Sequence, residues 1–139
     1  GKWINIGRLD YDSSGLILFT NNGMVANKMM HPSSNIIRTY EVIIDGNIDA
    51  KKIKLSLEGI DIGNDEIGKF VDIMPEESLK NKYIVKLKTG KNREVRRIFS
   101  ALNCEVLKLK RISYGNIELG HLESQSYKYL EIKMLSEFL

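Results

Sequence analysis

Apolar and polar positions alternate along this chain with two different periods, and each period predicts one kind of element. Between Arg38 and Asp45, residues Tyr40, Val42 and Ile44 fall on one side, the pattern of a strand buried on that face. Lys82 to Thr89 repeats it, with Tyr83, Val85 and Leu87 opposed by Lys86 and Lys88. Shorter apolar runs predict strands at Trp3 to Leu9 and Gly15 to Thr20, joined by the polar loop Asp10-Tyr-Asp-Ser-Ser-Gly15. Ile60 to Ile62, Lys69 to Met74, Glu105 to Lys110 and Tyr127 to Lys133 complete the strands, with Gly63 to Gly68 as a turn region.

The helical period runs from Arg93 to Leu102, where Val95, Ile98, Phe99 and Leu102 share a face at about 100° per residue. Asn92 is suited to cap that helix. Asn21-Asn22-Gly23 opens a short helix through Met30, which ends at His31-Pro32 because the residue before proline disfavours helical backbone. Asp49 to Glu58 reads as a third helix, acidic at its start and followed by Gly59. Strands and helices mixed without regular βαβ alternation predict a single α+β domain over residues 1–139.

Composition narrows the setting. The 42% apolar and 28% charged fractions are those of an ordinary globular chain. No apolar stretch approaches the roughly 20 residues that span a bilayer, and no secretory signal is visible. Cys104 is the single cysteine and His31 and His121 the two histidines, so no disulfide, metal site or zinc cluster is expected. A reducing cytoplasmic compartment and a monomer are the expectations. The net charge of +3 is unevenly spread: from Ile84 to Gly115 nine Lys or Arg face only Glu94 and Glu105. Such a segment suits a polyanion, nucleic acid before membrane, although a solvated surface would look the same.

Two stretches could carry chemistry. On the helix after Gly90, Arg93 and Arg97 lie opposite the apolar stripe and suit phosphates, with Lys86, Lys88 and Lys91 just before them. Arg96 lies at the stripe's edge, where its stem can follow apolar surface and its head can turn inward. A solvated helix face explains three arginines equally well. In the loop after Leu9, turn chemistry alone accounts for Asp10, Asp12 and the serines and glycine beside them.

Taken together the stretches are more specific. Gly7-Arg-Leu-Asp-Tyr-Asp-Ser-Ser-Gly-Leu-Ile-Leu-Phe-Thr-Asn-Asn-Gly23 resembles the catalytic motif of bacterial ribosomal pseudouridine synthases, in the group of A-type (small-subunit) and B-type (large-subunit) enzymes. Arg38-Thr-Tyr-Glu-Val42 is similar to the family's second motif, and Thr89-Gly-Lys-Asn-Arg-Glu-Val-Arg-Arg-Ile98 to its third. Val106 to Arg111 and Ser113-Tyr-Gly115 resemble its closing strand and loop. The motifs follow the family's order from Gly7 to about Leu122.

The resemblance implies a mixed, mostly antiparallel sheet flanked by short helices, and a cofactor-free isomerase that converts uridine to pseudouridine in ribosomal RNA. It implies that Asp10 is the catalytic aspartate, that Arg96 pairs with it, and that Tyr40 stacks on the flipped uracil. Arg8, Lys91, Arg93, Arg97, Lys110 and Arg111 are the expected RNA contacts. A guanidinium beside Asp10 would keep it charged and hold it through a planar fork. Glu94, with Ser113-Tyr114-Gly115 near Arg111, leans toward the large-subunit members. Small-subunit specificity, or an RNA-binding fragment without activity, are the alternatives. The group's small N-terminal RNA-binding domain and its Asn-Lys-Pro strand are absent from these residues, so a catalytic-domain fragment is expected.

Overall fold

The computed structural model describes residues 2–130. In chain order the elements are β1 (Ile4–Ile6), β2 (Ser14–Gly15), β3 (Leu18–Thr20), α1 (Gly23–Met30), β4 (Arg38–Asp45), α2 (Ala50–Glu58), β5 (Ile60–Gly63), β6 (Glu66–Gly68), β7 (Asp72–Pro75), β8 (Lys82–Leu87), α3 (Glu94–Ala101), β9 (Glu105–Tyr114) and β10 (Ile117–Glu118). The main sheet runs β10-β9-β4-β8-β7 with antiparallel neighbours, and β2 joins β9 in parallel. β1–β3 and β5–β6 form small antiparallel pairs beside it. The architecture is therefore α+β, with a mixed, mostly antiparallel sheet and short flanking helices.

Several boundaries follow from local chemistry. Asn22 caps α1, its side-chain oxygen accepting from the Met24 and Val25 N–H groups at 2.9 and 3.3 Å. Asp49 does the same for α2 through Lys52 N–H at 2.8 Å. Asn92 does not cap α3. Arg93 occupies that position in left-handed backbone with φ +52 and no side-chain cap. The segment expected as one long turn contains β6, because Asn64 and Asp65, both at positive φ, make a two-residue hairpin turn by themselves. β9 continues past Lys110 to Tyr114. Tyr127 to Leu130, expected to begin a strand, are irregular, and the rest of that segment lies outside the described residues.

Two cores sit against the sheet. Val95, Ile98, Phe99 and Leu102 of the α3 region bury against Val42, Ile44, Val85, Leu87, Val106 and Leu109. Ile98 and Phe99 are fully buried, and each such side chain stabilises by about 1.5–3 kcal/mol. Phe70 packs on Phe99 with ring centroids 5.5 Å apart. The second core gathers Ile6, Leu16, Leu18, Ala26, Met29, Tyr114 and Ile117 around α1. Along β4 and β9 the first core ends at Val42 and Leu109, and the second begins at Tyr114. Arg38, Tyr40 and Arg111 occupy the interval.

Candidate active site

The loop after Leu9 is fixed at both ends. Ser13 N–H donates to Asp10 O at 2.9 Å and closes a turn with Tyr11 and Asp12 at its corners. β2 then pairs with Lys110 and Arg111 of β9. Gly15, at φ +105, passes so close that a Cβ would overlap the Arg111 backbone, so no other residue fits there. Leu16 N–H donates to Arg111 O at 2.8 Å, and Arg111 Nε donates back to Leu16 O at 2.9 Å.

α3 meets this loop with two arginines. Arg93 grips Asp12 bidentately at 3.0 and 2.9 Å, its Nη1 lies 3.5 Å from Asp10 Oδ2, and its guanidinium sits 5.9 Å from the centre of the Tyr11 ring. Arg96 Nη2 donates to the Asp12 carbonyl at 2.7 Å, and Nε lies 3.4 Å from Asp12 Oδ1. The expected Arg96–Asp10 pair is therefore not formed. Asp12 stands at the second corner of the turn, nearer α3, and captures both arginines, leaving Asp10 to the outer edge of Arg93. The Arg93 hydrogen bonds chiefly hold the Asp12 carboxyl below its usual range; partial burial opposes this and the Arg96 charge adds to it. Reciprocally, Asp12 raises the Arg93 guanidinium.

Other expected contacts are placed differently. Arg97 does not face solvent phosphate: its guanidinium donates to Ile62 O, Asn92 O and Gly63 O at 3.1, 2.9 and 3.0 Å and pairs with Glu66 at 2.9 Å. The β5–β6 hairpin folds over that helix face and uses the arginine as its clamp. Arg111 is 2% exposed, tied to Leu16 and 5.3 Å from the Tyr114 ring centre. The second core closes around it, so it shapes the loop and is no surface contact here. Arg8 is exposed at the loop's entrance, and Lys91 is half-buried. Lys110 is exposed on the other sheet face, opposite Glu41, beside a groove that Lys86 also lines.

Tyr40 is half-buried on the face of β4 that carries Val42 and Ile44, in register with Arg111 of β9 and Val85 of β8. Asp12, Arg93 and Arg96 border a surface depression with Ser100, Glu105 and Val106. Asp12 and Glu94 are the residues whose roles the sequence reading missed. Glu94 is 3% exposed, and its carboxylate accepts from Thr89 Oγ and Lys91 N–H. Among the described residues, no group of three or more His, Cys, Asp or Glu side chains is arranged to hold a metal ion, and no helix is long and apolar enough to cross a membrane.

The RNA pseudouridylate synthase profile matches residues 1–101, and the chain belongs to that family. Ribosomal large subunit pseudouridine synthase B of Vibrio vulnificus (strain CMCP6) is 37% identical over 135 residues, covering 95% of this chain and 42% of that protein. The protein of the same name from Buchnera aphidicola subsp. Schizaphis graminum (strain Sg) is 42% identical over 122 residues, or 85% and 47%. The chain spans less than half the length of these curated relatives. A crystal structure of a pseudouridylate synthase superposes with a TM-score of 0.88 at 26% identity, covering 99% of this chain and 60% of that one. The archaeal box H/ACA sRNP Nop10-Cbf5 complex shares the fold alone, at a TM-score of 0.58 and 18% identity over 85% of this chain and 40% of that one.

Proposed function

We propose that this chain is the catalytic portion of a longer enzyme, a cytoplasmic monomer that converts a uridine of large-subunit ribosomal RNA to pseudouridine. The observation that carries the proposal is the Asp10 loop, held by β9 on one side and the α3 arginines on the other. The reaction breaks the bond between C1′ and N1, turns the uracil, and joins C1′ to C5. One proton leaves C5 and one arrives at N1, so atoms balance without an oxidant or a second substrate. Asp10 supplies the carboxylate, either as nucleophile or as base at the sugar. Arg93 keeps a cationic charge 3.5 Å from Asp10, while Arg96 secures the Asp12 side of the loop.

The uridine must first leave its stack, at a cost of a few kcal/mol by the general rule for flipped bases. Tyr40 offsets part of this by stacking on the extruded uracil. Arg8, Lys91 and Lys110 offer cationic heads to the RNA backbone, where contacts position the strand without reading its sequence.

The test uses the full-length parent on unmodified ribosomal RNA, with pseudouridine mapped by reverse-transcription stops. Wild type should produce a new stop at one position in large-subunit RNA. Asp10→Asn should abolish it while RNA binding stays within about threefold, because the change removes charge and keeps shape. Turnover by Asp10→Asn, or a wild-type enzyme that binds and modifies nothing, would sink the proposal.

A further inference from the structure

The turn from Thr89 to Arg93 carries the guanidinium that reaches both aspartates, and Glu94 shapes it from inside. Both Glu94 carboxylate oxygens lie within reach of Thr89 Oγ, at 2.8 and 2.9 Å, and Oε1 accepts from Lys91 N–H at 3.1 Å. No guanidinium or ammonium pairs with it among the described residues. A carboxylate this deeply buried is costly to desolvate, and its hydrogen bonds to Thr89 and Lys91, together with its place in the first turn of α3, offset that cost. Its bonds are spent on the turn.

That turn needs holding. Arg93 has φ +52, backbone that a residue with a Cβ adopts only when its surroundings enforce it. Glu94 N–H donates to Lys91 O at 3.2 Å, and Arg97 Nη1 donates to Asn92 O at 2.9 Å, so the turn is tied from both sides. The direction of the Arg93 side chain, and with it the bidentate bond to Asp12 and the approach to Asp10, follows from this backbone.

We propose that Glu94 is a positioning residue for the isomerisation: by latching Thr89 and Lys91 it holds Arg93 in left-handed backbone and aims its guanidinium at Asp12 and Asp10. The functional half of this rests on the reaction assigned above. Hydrogen bonding, not charge, is what the latch requires. A glutamine at 94 can accept from Lys91 N–H through its oxygen and donate to Thr89 Oγ through its nitrogen. Alanine at 94 or valine at 89 cannot.

The experiment measures kcat and KM on unmodified ribosomal RNA with the full-length parent, together with amide exchange at Lys91. Glu94→Ala and Thr89→Val should each lower kcat about 10- to 100-fold, the loss a displacement of about 1 Å produces, with KM within about threefold. Glu94→Gln should stay within about threefold of wild type in both constants, and Lys91 exchange should quicken in the alanine and valine variants only. Thr89→Val serves where Glu94→Ala fails to fold. Adding Glu94→Ala to Arg93→Ala should cost nothing further, because the latch acts through Arg93. A glutamine variant as poor as alanine, fully additive losses, or unchanged Lys91 exchange each overturns the latch. A wild-type enzyme that makes no pseudouridine overturns the reaction, and Lys91 exchange still decides the latch separately.

Discussion

Replacing Gly15 with alanine should uncouple the Asp10 loop from β9. The added Cβ would overlap the carbonyl oxygen, nitrogen and carbon of Arg111, which are backbone atoms of a paired strand and cannot swing aside. The loop must therefore move, and two hydrogen bonds are lost with it: Leu16 N–H to Arg111 O at 2.8 Å and Arg111 Nε to Leu16 O at 2.9 Å. The first is worth about 1 kcal/mol and the second, from a buried guanidinium, about 1.5–3 kcal/mol. Residual strain at positive φ adds about 1 kcal/mol. The local loss of roughly 3–5 kcal/mol compares with about 5–15 kcal/mol for a whole domain, so the loop should detach before the sheet melts. Hydrogen exchange in the parent protein reads this directly. The Leu16 amide should exchange about 10²- to 10⁴-fold faster, while amides of α3 keep their protection. Pseudouridine formation should fall with the loop. Leu16 exchange within about threefold of wild type would refute the reasoning, since a paired strand with no room for a methyl cannot accept one unnoticed.

Further predictions separate structural arginines from RNA contacts. Arg97→Ala should lower stability by about 2–4 kcal/mol, read as a urea midpoint, with the salt dependence of RNA binding unchanged. A lowered salt slope with stability intact would restore Arg97 as a phosphate contact. Arg8→Ala, Lys91→Ala and Lys110→Ala should each reduce the slope of log K against log salt by about 0.7–0.9, and a flat response from all three would remove them from the interface. The Asp12–Arg93 bond sets a pH dependence. Because the folded Asp12 carboxyl is held below its ordinary value, its contribution is complete above about pH 3.9 and is lost as pH falls through the lower folded value. Urea midpoints of wild type and Asp12→Asn should differ near neutrality and converge in acid, and a gap that persists into strong acid contradicts this.

Sequence periodicity was enough to locate α3 and the buried faces of β4 and β8, because each repeats its period over several residues. β2 was beyond its reach. Two residues have no period, and Ser14 and Gly15 are a strand only because Lys110 and Arg111 come alongside. Asp12 was hidden for a related reason: an aspartate at a turn corner has the same local signature whether or not a helix delivers two arginines to it. The edge of the apolar stripe showed that Arg96 turns inward but not which carboxylate it meets. Arg111 misled by its neighbours, since Lys108 and Lys110 are exposed and a basic strand reads as surface. Its burial depends on Tyr114, three residues on in β9 past a register shift against β4, and on Leu16, from the opposite end of the chain.

The bond between Arg111 and Leu16 spans 95 residues, and this gives the loop a history as well as a position. On a ribosome adding about 5–20 residues per second, the Asp10 segment is made roughly 5–20 s before the strand that anchors it. Until then Gly15 has no strand to lie against, and Asp10 and Asp12 wait almost as long for Arg93 and Arg96. β4, carrying Tyr40, likewise lacks its β9 neighbour for most of that interval. The same late strand completes both, so the carboxylate and the aromatic face come into place together.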